Sequence, residues 1–289
     1  MNKLLSAEFV RLWKSFIFRL CVLFSLGISC YTVLTHWWYL KKDVEQYSQL
    51  DLSYCSVDGL LFGGGVYFIF ALATFIGIFV GTEYSDGTIR NKLMVGHTRV
   101  TIYLSKLIVC GTAAVIFFSL DVLCTLFLGS LLLGATTMRA ATFLSFFFVY
   151  LFAALALTAL LLLLSMLIQS KATGCVVTLL TTLILLFSSI YVYSMLNAPE
   201  YFEGYMYIDE ETQEVVTIER EKNTHYLTGT KRNVYQFICD ATPICQLYRI
   251  SEAVPELPDG FGLLPNYDAI LIVLVTSIGI FIFTKRNLK

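Results

Sequence analysis

The stretch Gly81-Thr-Glu-Tyr-Ser-Asp-Gly-Thr-Ile-Arg-Asn-Lys-Leu-Met-Val-Gly-His-Thr-Arg99 lies between two long apolar runs, Leu60–Val80 and Leu107–Leu133. A bilayer core about 30 Å thick takes roughly 20 apolar residues in a helix, and both runs reach that length. The charged stretch is therefore a short connection between two membrane spans. Its bases, Arg90, Lys92 and Arg99, outnumber Glu83 and Asp86. Short positive loops stay on the cytoplasmic side of a membrane. A structured basic element held there is presented to something soluble.

Working outward, the chain is 57% hydrophobic and only 14% charged, with 23 Phe and 17 Tyr. A soluble chain of this length rarely has that composition, so the class is a polytopic membrane protein. Six spans are expected, near Phe16–Leu34, Leu60–Val80, Leu107–Leu133, Ala141–Ile168, Ala172–Met195 and Tyr267–Thr284. Backbone groups in lipid need internal partners, so the spans are helices. A transmembrane barrel needs alternating short segments, which continuous runs such as Leu155–Leu164 do not supply. The fold class expected is all-α and polytopic, with an N-terminal interfacial helix and an α/β insertion outside the membrane between helices five and six.

Basic residues set the orientation. The termini and alternate loops hold twelve bases, among them Lys3, Arg11, Lys14, Arg19, Lys106, Lys171 and Lys285, against the acids Glu8, Glu83 and Asp86, a balance of +9. The opposite set, Thr35–Gly59, Gly134–Ala140 and Leu196–Asn266 with Asp268, holds eight bases and seventeen acids, or −9. Both termini are therefore expected in the cytoplasm. On this reading residues 1–195 carry spans one to five with the loop 81–106. Residues 196–266 form an extracellular region, and 267–289 carry span six and a cytoplasmic tail.

Met1–Trp13 has Glu8, lacks a small-residue cleavage site and runs into a span of full length, so it does not read as a cleavable signal. Leu4, Leu5, Phe9 and Leu12 recur at helical spacing among charged residues. That pattern predicts a helix lying on the inner membrane surface. In the outer region, Met206–Ile208 and Val215–Ile218 flank a polar stretch and predict a hairpin, an insertion over 205–218. Lys231–Asp240 has helical spacing. Thr242-Pro243 then caps and opens a second helix running to about Glu252. Cys239 and Cys245, six apart at the junction of these two helices, are the candidate disulfide, with Cys55 as competitor for either partner. Gly63-Gly64-Gly65 at the start of span two reads as close packing of small residues.

Several chemistries have no visible apparatus. There is no Gly-x-x-x-x-Gly-Lys-Ser/Thr loop to cradle phosphates, no nucleophile elbow and no His-Glu-x-x-His. The three histidines are scattered and no Cys-x-x-Cys occurs, so no metal or cofactor site is expected. Nothing points to nucleic acid as a partner, and the chain is not expected to be an enzyme. Within the loop, Glu83 and Asp86 are placed at the start of a short helix, where the positive end of its dipole favours anions. Ile89, Leu93 and Met94 form its apolar face, and Gly96 ends it. Such a helix could insert into a groove of a soluble partner.

Glu83-Tyr84-Ser85-Asp86-Gly87-Thr88-Ile89-Arg90-Asn91-Lys92-Leu93, followed by Thr101–Leu107, resembles the first cytoplasmic loop of ABC-2-type transporter permeases. Six spans, inside termini, an amphipathic N-terminal helix and an outer region before span six extend the resemblance over nearly the whole chain. The resemblance implies that this loop carries the coupling helix that docks on a separate ATPase subunit, with Glu83, Gly87, Thr88, Ile89, Arg90 and Leu93 matching the pattern. It also implies short helices between spans five and six, a second permease chain, identical or related, and a bacterial plasma-membrane location. ATP and Mg would belong to the partner ATPase. The apolar spans favour amphipathic peptides, as in antimicrobial peptide resistance, or lipophilic drugs as cargo.

Asp121 falls inside span three. An ionisable residue at that depth is a functional suspect by default, for contact with substrate or an ion. The alternative is a hydrogen bond to a neighbouring helix through Ser119, Thr125 or a partner chain. A different function class also fits the composition: a non-transporting membrane receptor or sensor whose acidic ectodomain binds peptide.

Overall fold

The computed structural model describes residues 2–42, 57–208, 215–252 and 260–286. In chain order the helices are α1 (Asn2–Lys14), α2 (Phe16–Lys42), α3 (Val57–Leu60), α4 (Gly65–Ser85), α5 (Thr88–Met94), α6 (Arg99–Leu132), α7 (Ala140–Leu167), α8 (Lys171–Asn197), α9 (Gly229–Ala241), α10 (Pro243–Ser251) and α11 (Leu264–Lys285). Two small antiparallel ribbons lie between α8 and α9. One pairs β1 (Tyr201–Phe202) with β4 (Glu221–Lys222). The other pairs β2 (Tyr205–Ile208) with β3 (Val215–Ile218), so that Tyr205 faces Ile218 and Ile208 faces Val215. Residues 209–214 between β2 and β3, Cys55, and Pro255 and Pro258 lie outside the described residues.

Among the described residues, six helices are long and apolar enough to cross a membrane. They coincide with the six expected spans, and α2 and α6 run about two turns further than the apolar residues alone mark out. Apolar side chains such as Leu23, Phe24, Ile184, Phe187, Val273 and Phe281 remain exposed on the outer faces of α2, α8 and α11. An apolar belt of that size is the mark of a surface that meets lipid rather than water.

Lipid removes the usual drive to bury apolar surface, so membrane helices associate through close packing and small residues. The α4–α8 interface is built this way. A Cβ placed on Gly77 would stand 2.6 Å from the Cα of Cys175, and one on Gly81 would stand 2.7 Å from the Cα of Lys171. The two glycines are four apart, one helical turn, so they clear one continuous strip for the α8 backbone. Thr178 crosses that strip and donates from Oγ1 to the Ala73 carbonyl at 3.0 Å. At the other end of α4, Gly64 leaves room for the Asp121 carboxylate and Gly65 for the Tyr150 ring. Aromatic rings fill the centre: Phe18 stacks on Phe117 at 5.6 Å, and Phe75 meets Phe117 edge-on at 5.6 Å, joining α2, α4 and α6.

Three features depart from the expectations. The apolar stripe of α1 turns towards the bundle: Leu4 and Leu12 are buried in the main core, with Leu5 and Phe9 against it. Glu83 and Asp86 do not open the short helix. Glu83 lies in the last turn of α4, Asp86 caps that helix, and the short helix begins after Gly87. Within 196–266, α10 packs among α4, α7 and α8, with Ile244, Leu247 and Ile250 in the same core as the spans. Pro243 at its first position needs no backbone donor there, which allows a sharp entry after Thr242. Cys239 of α9 is bonded to Cys245 of α10, with Cα atoms 5.2 Å apart.

Gly77→Leu is expected to force α4 and α8 apart and to cost about 1–3 kcal/mol through overpacking. The check is a lowered unfolding temperature in detergent, with Gly27→Leu, where a side chain meets open space, as the matched control. For the bridge, alkylation followed by non-reducing mass spectrometry should recover a crosslinked Cys239–Cys245 peptide from natively oxidised protein.

Candidate functional site

The turn from α4 into α5 follows from three residues. Gly87 adopts a left-handed conformation, φ +67°, which a side chain would strain. Its amide donates to the Tyr84 carbonyl at 3.2 Å, and the Thr88 hydroxyl donates to the Glu83 carbonyl at 3.2 Å. Gly96 does the same job at the far end, with φ +96°. There Gly96 N–H bonds the Leu93 carbonyl and His97 N–H the Lys92 carbonyl, at 3.0 and 3.1 Å. This is the six-to-one and five-to-two pattern that ends many helices on glycine. Thr98 then caps α6 by accepting from the Thr101 amide at 3.2 Å. Two left-handed glycines and two threonines thus detach a two-turn helix from the spans on either side of it.

A buried ionic knot holds α5 to the bundle. Glu8 of α1 and Glu83 of α4 are each about 1% exposed, and Lys106 of α6 is fully buried. The Lys106 ammonium bridges both carboxylates. Lys92 of α5 also reaches both, at 2.7 Å from Glu83 Oε1. Arg11 of α1 pairs with Glu83, lies 3.6 Å from Glu8 and donates to the Phe79 carbonyl at 2.5 Å. The Phe79 ring closes the knot on the bundle side, 4.2 Å from the Arg11 guanidinium. Four helices therefore share two carboxylates. Burial pushes the Glu8 carboxyl up, but Lys106 and Lys92 together outweigh it and hold Glu8 below its ordinary value.

The neighbouring helix ends are closed by arginines. Arg99 donates to the carbonyls of Phe283 (2.8 Å) and Thr284 (3.3 Å), and also to that of Arg286, at the end of α11. Arg286 in turn donates to the Leu167 carbonyl at the end of α7. Cations belong at these negative dipole ends. The Tyr84 hydroxyl ties α4 to α7 through the Met166 carbonyl at 2.8 Å.

The residues named from the sequence divide into distinct roles. Glu83 is inside the knot, Gly87 and Thr88 make the turn, and Ile89 is buried under α5. Leu93 is half-buried against the core. Only Arg90 of the set is exposed, beside Asn91. Of the apolar face expected to dock a partner, Ile89 and Leu93 therefore point into this protein, and Met94 alone points outward. The outward apolar surface is Met94 with Val95, 77% and 79% exposed. Glu8, Arg11, Lys92 and Lys106 were not singled out in the sequence. Their signal was present: Glu8 and Arg11 stand three apart on one helix, and Lys106 interrupts an apolar stretch.

Asp121 forms a separate site, fifteen residues further along α6 than Lys106, or about 22 Å at 1.5 Å per residue. It is 1% exposed. Ser29 donates to it at 2.7 Å and Tyr150 at 3.3 Å. Its hydroxyl partners are Ser29 of α2, Tyr150 of α7 and Thr125 of its own helix, one of the two candidates named from the sequence, and Gly64 just ahead of α4 packs on the carboxylate. At the opposite end from the knot, Asp58 accepts from the Thr137 amide at 2.9 Å and from the hydroxyls of Thr136 and Thr137, fastening α3 to the α6–α7 turn.

Lys106→Met should leave two buried carboxylates short of a cation and cost about 3–5 kcal/mol. Adding Glu8→Gln should restore part of that loss, because the pair is coupled. Thermal unfolding of the four variants of the cycle in detergent reads both effects. The Glu8 carboxyl is depressed in the folded protein, so its stabilisation is complete above the ordinary value of 4.5 and fades as pH falls below it. Glu8→Gln should flatten that acid limb, followed by the Trp13 fluorescence of α1.

A family model described as ABC-2 family transporter protein matches residues 4–189. No curated protein matches the chain. The matched range begins in α1, contains every member of the knot and all of α5, and ends within the fifth long helix. With six membrane-length helices and a glycine-bounded helix pinned between the second and third of them, the chain belongs to the ABC-2 family of transporter proteins.

Proposed function

We propose that this protein is the permease subunit of an ATP-driven exporter, working as a pair of permease chains with a separate ATPase subunit on each. The observation that carries this reading is the knot: α5, a two-turn helix outside the spans, is bound through Lys92 to carboxylates of α1 and α4 that Lys106 of α6 also holds. A push on α5 reaches three helices at once. The end of the bundle bearing α1 and α5 faces the cytoplasm on the charge balance. Met94 and Val95 enter a groove of the ATPase, and Arg90 and Asn91 flank them. Closure of the ATPase pair on ATP displaces α5, and the knot passes the displacement to α1, α4 and α6. The translocation path runs between the two permease chains, and its cargo is an amphipathic peptide or a lipophilic drug, in keeping with the apolar spans. This chain supplies no ATP chemistry, which belongs with Mg to the partner.

The test is Met94→Asp combined with Val95→Asp. An unpaired carboxylate in a docking groove is costly, so the variant should lose co-purification with an ATPase encoded beside it and lose stimulation of that ATPase, at an unchanged unfolding temperature. Leu93→Asp, by contrast, should lower the unfolding temperature, since Leu93 faces the core. Robust ATP hydrolysis by the purified chain alone would overturn the assignment. Unchanged coupling in the double variant would move the docking surface away from α5.

A further inference from the structure

Beside the knot, α1, α2 and α4 enclose a groove of about 480 Å3 at the corner where α1 turns into α2. Arg11, Lys14, Ser15 and Thr82 supply its polar groups, with Ile17 and Phe79 as its apolar wall. Among the described residues no carboxylate lines it, and Lys14 makes no ion pair. The knot next to it carries three cations against two carboxylates, and Arg11, 30% exposed, belongs both to the knot and to the lining of the groove. A second groove of about 500 Å3 continues along the α2–α4 seam. Ile17 is common to both, and Leu20, Phe24, Phe70, Ala71 and Thr74 line the continuation. From Thr82 to Phe70 the seam runs twelve residues of helix, about 18 Å. That compares with about 15 Å for half of a hydrocarbon core.

A polar, cationic mouth at one end of the bundle and an apolar channel of one leaflet's depth together match one chemical class of ligand. We propose that this composite groove is a binding site for an anionic phospholipid, its phosphodiester between Arg11 and Lys14 and one acyl chain along Leu20, Phe24 and Phe70. Basic pockets between membrane helices take such headgroups by charge complementarity. Ser15, whose hydroxyl accepts from the Phe18 amide and keeps its own hydrogen free, is placed to donate to a phosphate oxygen. The bound phosphate offsets the surplus charge of the knot through Arg11, so the lipid also steadies the register of α1 against α4. The inference rests on the membrane fold and stands apart from the transport reading.

The experiment uses the full chain purified in mild detergent, with native mass spectrometry of the first bound lipid in mixtures of phosphatidylglycerol and phosphatidylcholine. Phosphatidylglycerol should bind about tenfold more tightly or better, since each cation near a lipid surface counts. Lys14→Gln, an exposed substitution that leaves the knot intact, should cut that preference about fivefold. Lys3→Gln, on the same helix but away from the groove, should leave it unchanged. Thr74→Phe, which obstructs the apolar continuation, should weaken binding of long-chain phosphatidylglycerol but not of its dihexanoyl form. Equal effects of Lys3→Gln and Lys14→Gln would mean diffuse surface charge only, and would overturn the proposal. So would an unchanged long-chain affinity in Thr74→Phe.

Discussion

Everything at the α1–α5 end depends on a lysine with no access to water. An isolated ammonium in that position is prohibitive, and Lys106 is tolerated only because Glu8 and Glu83 both reach it. Those two carboxylates come from different helices, and they also hold Arg11 and Lys92. Such clusters add little net stability over well-packed apolar side chains, but removing one partner strands the rest. What the arrangement contributes is geometric. The end of α4, the short helix α5, the N-terminal helix α1 and the start of α6 have one relative position in which all five charges are matched.

The same helix α4 is the centre of the packing. On one side Gly77 and Gly81 admit the backbone of α8, and on another Phe75 and Phe79 build the aromatic layer towards α2 and α6. Its first residues lie over Asp121 and Tyr150, and its last over the knot. In an apolar solvent, tight apposition and hydrogen bonds have to do what burial does in water. That explains why the interior carries hydroxyls turned back on their own helix carbonyls, such as Thr158 and Thr182. It explains too why Asp58 and Asp121 are each held by hydroxyl donors of a neighbouring segment.

The segment between the last two long helices shows how an outer region becomes part of the bundle. A bridge between Cys239 and Cys245 closes the corner from α9 to α10. Pro243 allows the abrupt start of α10, whose buried face meets α4, α7 and α8. Gln246 of that helix donates to Asp268 at 3.1 Å and to the Asp240 carbonyl at 2.7 Å, joining α9, α10 and α11. The ribbons β1–β4 and β2–β3 lie upstream of this corner and leave the packing of α10 to its own apolar residues.

The sequence by itself determined the six long helices, their order and the end of the short helix at Gly96, because span length and a helix-ending glycine are local properties of the chain. The start of that helix at Gly87 was decided by the structure, since Glu83 and Asp86 continue the preceding span. The sequence also pointed to the helix pair around Thr242-Pro243, since a proline at the first helical position acts within one turn, although the Thr242 side chain makes no capping bond. Only the tertiary structure decided which way each short helix faces. Helical spacing shows that Ile89 and Leu93 share a side of α5, and that Leu4 and Leu12 share a side of α1. It cannot say whether that side meets a partner, lipid or the bundle, because three to four apolar residues satisfy all of these equally. The knot was beyond local reading for the same reason. Glu8, Glu83, Lys92 and Lys106 are separated by up to 98 positions, and a charge pair across that distance leaves no periodic trace. Folding brings them within bonding distance, and so turns what reads as a solvated basic loop into the buried anchor of the short helix.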